Sequence, residues 1–180
     1  MLNIQDSILV IIDVQEKLVN AASNGTKISS NMTKLAKTAN VLDVPTIVTE
    51  QYPQGLGQTV IELSQVLPNS THIIEKTSFS AMREEPFKRI LKAYNRKQII
   101  IGGIEGHICI LQTVFDLIKE GYEVYIVKDC TSSRRSEEFN IGIELAKQYG
   151  AKVTCLEIAL FEWLKSSKHP NFKEIQALIK

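Results

Sequence analysis

"IIIGGIEGHICILQTVFDLIKEGYEVYIVKD", residues 99–129, contains two apolar runs separated by one helical period. Residues 99–101 are continuously apolar, as in a strand covered on both faces. Paired glycines follow, and then Leu111, Val114, Phe115 and Ile118 recur at i, i+3, i+4 and i+7, one stripe of a helix over 107–120. Gly121 sits at a C-cap position, and "YEVYIVKD" (122–129) resumes the strand pattern. Two such strands joined by a helix must run parallel, with a right-handed crossover.

The same alternation extends in both directions. "SILVIID" (7–13), "PTIVTE" (45–50), "THIIEK" (71–76), "QIIIGG" (98–103), "YEVYIVKD" (122–129) and "AKVTCLE" (151–157) read as six strands. Helical stretches are predicted at 29–43, 58–66, 84–95, 107–120 and 137–149. This pattern implies an α/β protein, a three-layer α/β/α sandwich around a six-stranded parallel sheet, in a single domain over 1–180. The closing "HPNFKEIQALIK" places Phe172, Ile175 and Ile179 at helical spacing, a tail expected to dock on the domain or on a partner subunit.

Composition narrows the function classes. A net charge of +1 argues against a nucleic-acid partner. The N-terminus lacks a basic n-region, and no apolar run approaches the ~20 residues that span a bilayer, so no membrane partner is expected. Three cysteines, at 109, 130 and 155, are too few and too irregular for a disulfide framework, which points to a reducing compartment, taken as cytoplasm. "QYPQGLGQT" lacks the Gly-Lys-Ser/Thr ending of a phosphate loop, and "GGIEGH" lacks dinucleotide spacing. His72, His107 and His169 are scattered, and no serine elbow is present. No cofactor and no metal is called for.

Ligands of open parallel sheets bind beyond the carboxyl ends of the strands. Strand one ends in Asp13, strand three in Lys76, and strand four leads to Cys109. Singly, these are a turn cap, a solvated charge and a small buried hydrophobe. Together they place a carboxylate, an ammonium and a thiol on one rim. Cys155 reads as a core residue inside a strand, and Cys130 as the start of a loop.

"ILVIIDVQEKL", "EKTSFSAM" and "GGIEGHICILQTVFDLIKEGYEVYIVKDCTSSR", in that order, resemble the isochorismatase-like cysteine hydrolase superfamily. "TEQYPQGLG" and the closing segment look most like its isochorismatase domain-containing branch. The resemblance implies strand order 3-2-1-4-5-6 and a catalytic triad mapping onto Asp13, Lys76 and Cys109. It also implies a cis peptide joining Ile104 to Glu105, with the backbone N–H groups of Glu105 and Cys109 as an oxyanion hole. A small amide, ureide or carbamate C–N bond is then the expected target, cleaved through a thioester. Lys76 and the helix N-terminus favour thiolate, whereas Asp13 opposes it, so a hydrogen-bonded thiol–carboxylate pair is expected.

Substrate-binding candidates from the facing loops are Gln15, Leu18, Gln51, Tyr52, Phe79 and Met82, with core packing as the plain alternative for the last two. Glu105 could bond within its loop or face a subunit boundary. Ser136 reads as a helix cap, and Arg134 and Arg135 as subunit or anion contacts. Departures from the family limit the substrate. Glu50-Gln51-Tyr52 stands where nicotinamidases carry an Asp-x-His metal pair, the presence of the cysteine disfavours isochorismate hydrolysis, and Gly106 replaces a threonine, serine or alanine. The partners expected are a small-molecule substrate and further copies of the chain in a homo-oligomer. A thiol redox sensor and a catalytically silent oligomeric binding protein are the alternatives of other classes.

Overall fold

The computed structural model describes residues 1–180, and the six apolar runs form one sheet. Its strands are β1 (Ser7–Ile12), β2 (Thr46–Gln51), β3 (His72–Lys76), β4 (Gln98–Ile104), β5 (Glu123–Ser132) and β6 (Lys152–Thr154). They lie in the order β3-β2-β1-β4-β5-β6, and every pairing is parallel. The order reverses between β1 and β4, which opens a crevice at their carboxyl ends.

Period-two alternation divides the strand side chains between two cores. Leu9, Ile11, Val48, Ile100, Tyr125 and Val127 face one layer, which contains α2 (Gly25–Val41), α8 (Leu156–Leu164) and α9 (Phe172–Ala177). Ile8, Val10, Ile12, Ile99, Ile101 and Ile126 face the other, with α5 (Glu85–Ala93), α6 (Leu111–Lys119) and α7 (Ser136–Gln148). Burial on both faces is why the strands read as unbroken apolar runs. Short helices α1 (Glu16–Ala21), α3 (Pro53–Leu56) and α4 (Ile61–Ser64) shape the loops after β1 and β2. No helix is long and apolar enough to cross a membrane.

Several local expectations are corrected. Cys130 is not at the start of a loop. β5 continues to Ser132 through a register shift opposite Ile101 and Gly103, and Cys130 is fully buried there. Cys155 is not inside a strand. It is the half-buried N-cap of α8, which follows β6 at once, and "LEIALFEWL" is apolar on nearly every side, so no helical contrast marks the change. Ser136 is the first residue of α7, and Arg135 is its N-cap without a side-chain capping bond.

The α6 stripe is also rotated. Ile110, Val114 and Leu117 are fully buried, whereas Leu111, Phe115 and Ile118 are only partly covered. The C-terminal tail docks on its own domain: Ile175 is buried, and Phe172 and Ile179 pack against the same core.

Trp163 ties α8 to the start of the sheet. The indole is fully buried and its Nε1 donates to Ser7 Oγ at 3.0 Å, while that hydroxyl donates to Asn3 O at 2.7 Å. Trp163→Ala removes the ring and the donor to Ser7 Oγ, and is expected to cost about 3–5 kcal/mol. A lower urea midpoint at unchanged m-value checks this.

Candidate active site

Asp13 follows β1 in the left-handed region, at φ 52°, which aspartate tolerates better than most residues. Its N–H donates to Thr49 O at 3.1 Å and its carbonyl accepts from Gln15 N at 2.9 Å, so the turn is held on both sides. The carboxylate has no solvent exposure. Thr49, on the neighbouring strand, donates its hydroxyl to Oδ1 at 2.6 Å. Lys76, the last residue of β3, passes the end of β2 to set Nζ 2.7 Å from Oδ2.

The ammonium is itself held firmly. It donates to Gln51 Oε1 at 2.6 Å, to Ser78 O at 3.2 Å and to Phe79 O at 3.3 Å. Oδ2 is fully buried, with the ammonium as its close polar neighbour.

The third group arrives from β4. Gly103 has φ +130°, and a Cβ there would lie 1.9 Å from Ile12 O, so only glycine lets β4 pass this close to the end of β1. The next peptide, Ile104–Glu105, is cis. A π turn, Gly106–Ile110, then carries Cys109 before α6 begins. The Cys109 thiol lies close enough to Asp13, Lys76 and the Glu105 backbone for each to act on its ionisation. Cys109 is buried, at 7% exposure.

Burial, then the adjacent Asp13 charge, push the Cys109 thiol from 9.0 up to about 12, against the pull of Lys76 and the Glu105 amide. Burial also raises Asp13 from 3.8, opposed by Lys76, Thr49 and Cys109. Desolvation was invisible in the sequence, and it outweighs the charges that favour thiolate. Cys109 therefore rests as a neutral thiol beside a carboxyl group.

The other candidates fall into two groups. Gln15 is fully buried and its amide is consumed by backbone, donating to Gln51 O and Gly57 O and accepting from Gln51 N. Gln51 accepts from Lys76 and donates to Thr77 O at 2.9 Å, so it steadies the lysine. Met82 packs in the core. Tyr52 and Phe79 are more than half exposed, and Leu18 is half-buried.

Glu105 is buried and accepts from Arg134 N at 3.1 Å and Nε at 2.9 Å, which ties the loop after β5 to the π turn. Arg135 pairs with Glu138 at 3.1 Å. Glu50 spends Oε1 on Thr59 N and Oγ1, and no three His, Cys, Asp or Glu side chains converge on a metal-sized site.

Thr49 was missed in the sequence. Its signal is a hydroxyl in the apolar run of β2, in register with Ile12, but that register appears only once β1 and β2 are paired.

Replacing Asp13 with Asn removes a charge that raises the thiol. Wild-type Cys109 is expected to react with iodoacetamide more slowly than a free thiol at pH 8, and to speed up as pH climbs past 9 toward about 12. Asp13→Asn is expected to accelerate labelling at pH 8, read peptide by peptide in the mass spectrometer.

Comparisons with known proteins agree with this architecture. The family model described as isochorismatase domain matches residues 7–158. Isochorismatase domain-containing protein 2 of Danio rerio is 38% identical, covering 99% of this chain and 89% of its own. Isochorismatase family protein 1A of Dictyostelium discoideum is 37% identical, covering 96% of this chain and 85% of its own. Among solved structures, the MAR1 ribonuclease of Caenorhabditis elegans has a TM-score of 0.94 and 39% identity, over 99% of this chain and 91% of that one. The YcaC gene product of Escherichia coli, described as an octameric hydrolase of unknown specificity, has a TM-score of 0.88 at 22% identity. That likeness, over 98% of this chain and 94% of that one, is one of fold alone.

Proposed function

The chain belongs to the isochorismatase family, and on that premise we propose that it is a cysteine-dependent hydrolase of a small amide, ureide or carbamate C–N bond. One observation carries the reading: a carboxylate, an ammonium and a thiol from the ends of three strands meet in a buried cluster.

Cys109 attacks the substrate carbonyl as its proton passes to Asp13, forming an S–C bond and an oxyanion. The N–H groups of Glu105 and Cys109 receive that oxyanion. Asp13 returns the proton to the departing nitrogen as the C–N bond breaks, leaving a thioester. Water, deprotonated by Asp13, then attacks the thioester and releases the acid and the thiol. Lys76 balances and positions Asp13 throughout. A high thiol pKa suits this scheme, because the base removes the proton only when a carbonyl is present to be attacked. Leu18, Tyr52 and Phe79 are the proposed substrate contacts, as their side chains remain free for that role.

A redox sensor would need an accessible, low-pKa thiolate, and burial at Cys109 works against both. The worm relative's name raises RNA cleavage. A net charge of +1 offers no general attraction to a polyanion, and the buried thiol suits carbonyl attack. Three free cysteines fit a reducing compartment, proposed as the cytoplasm.

Self-association is part of the same reading. α7 exposes Ile141, Leu145 and Tyr149 at i, i+4 and i+8, and Tyr149 stacks on the half-covered Phe115 of α6 at 4.0 Å between centroids. That continuous apolar face supports a homo-oligomer. Leu145→Glu is expected to lower the molar mass measured by light scattering without unfolding the chain.

The decisive experiment incubates a panel of small amides, ureides, carbamates and a short RNA with wild type and Cys109→Ala. Turnover of one C–N substrate and an acyl adduct on Cys109 are expected, both lost in the variant by at least 10³-fold. Undiminished turnover in Cys109→Ala, or cleavage of RNA alone, would overturn the proposal.

A further inference from the structure

The inward side of α8 is what a helix laid on a sheet requires: Leu156, Ala159, Leu160, Trp163 and Leu164 are buried in the core. Its outward side is also apolar, with Ile158 52% exposed and Phe161 38% exposed. Packing within the chain gives no reason for apolar residues at those two places. Exposed apolar side chains are ordinary when scattered singly. These two instead border one groove of ≈ 630 Å³ along α8, together with Met1 and Cys155. Phe172 of α9 lies beside Phe161, with ring centroids 6.3 Å apart, and widens the apolar surface.

Phe161 stands at the middle of a ridge with i±4 spacing, Glu157–Phe161–Lys165, which ends on the C-cap residue. The two charges lie about 6 Å along the helix to either side of the ring. The Glu157 carboxylate belongs to no ion pair. Lys165 Nζ reaches Asn3 Oδ1 at 3.4 Å and has no carboxylate within ion-pair distance. Glu162, the other charge in the groove, already accepts from Leu2 N at 2.8 Å. The signs at 157 and 165 suit the helix dipole, but the dipole does not account for the apolar side chains between them.

Along the ridge the order is negative, aromatic, positive, and that order is complementary to its own reversal. Helices that pack by their i±4 ridges cross at about −50°, which brings the two ridges into line. About a two-fold axis beside Phe161 the ridges run antiparallel. Each Glu157 then meets the other copy's Lys165, and each aromatic ring enters the groove beside the other copy's Ile158. A patch that satisfies itself under a two-fold is the requirement of an isologous interface. A foreign protein or a lipid surface would call for no such symmetry.

α8 belongs to the layer of the sandwich opposite α7. We propose that the outward face of α8 pairs two copies of this chain, antiparallel about Phe161, and that with the α7 face on the opposite layer it builds an assembly of more than two copies. The α8 contact is independent of the hydrolase reading. The number of copies rests on the α7 face as well.

The test is light scattering on the full chain. Wild type is expected to have the mass of four or more copies. Phe161→Glu and Leu145→Glu are each expected to lower that mass at least twofold, and the two together to give the monomer. Charge reversal then probes the pairing itself, in the Leu145→Glu background where α8 alone holds the copies together. Adding Glu157→Lys is expected to weaken the remaining dimer at least tenfold, and further adding Lys165→Glu to restore it. Both positions are exposed, so the urea midpoint of each diluted variant is expected to stay unchanged. A monomeric wild type, an unchanged mass in Phe161→Glu, or no restoration by the second reversal would each overturn the α8 contact. A mass lowered by Phe161→Glu but not by Leu145→Glu would overturn the α7 face and the copy number, and would support the α8 contact.

Discussion

Asp13 and Lys76 face each other 2.7 Å apart with no side-chain exposure, and the architecture of this end of the sheet follows from keeping that pair satisfied. Removing two charges from water costs several kcal/mol per ion, and attraction alone repays it only when the remaining bonds are made. Here the surroundings make them. Thr49 serves one carboxylate oxygen, while Gln51 and the carbonyls of Ser78 and Phe79 hold the ammonium. Apolar residues in the same volume would stabilise the fold at least as well, so the pair is best understood through what it does to a neighbour. Its carboxylate raises the adjacent thiol.

A second constraint is the closeness of the backbones. Gly102 sits where a Cβ would lie 2.9 Å from Cys130 O, and Gly103 where it would meet Ile12 O. Gly106 lies under Phe139 and Thr131. Three glycines within five residues thus permit β1, β4, β5 and α7 to converge on the turn that carries Cys109. The glycine-rich look of this segment arises from packing and not from a phosphate to be cradled. Thr131 and Phe139 form the back wall of that turn.

Legibility in the sequence varied with the kind of signal. The layers of the sandwich were readable because strands covered on both faces leave unbroken apolar runs. Asp13, Lys76 and Cys109 were readable because strand ends are where a parallel sheet places its ligands. Gln15 and Gln51 were equally visible, but nothing in a sequence says that one amide will be engaged by the backbone of other loops and the other by a lysine. Cys130 and Cys155 were exchanged in character because the irregularity in β5 and the direct passage from β6 into α8 erase the boundaries that periodicity relies on.

By itself, then, the order of residues determined the alternation of strand and helix, the sheet's two-sided burial, and which three reactive groups end the strands. These are local properties, set by periodicity and side-chain chemistry. Tertiary structure alone decided that Thr49 would hold the carboxylate, that Gln51 would hold the lysine, and that burial would leave the thiol protonated. Each of those depends on strands far apart in the chain being brought into register, and on water being excluded from the place where they meet.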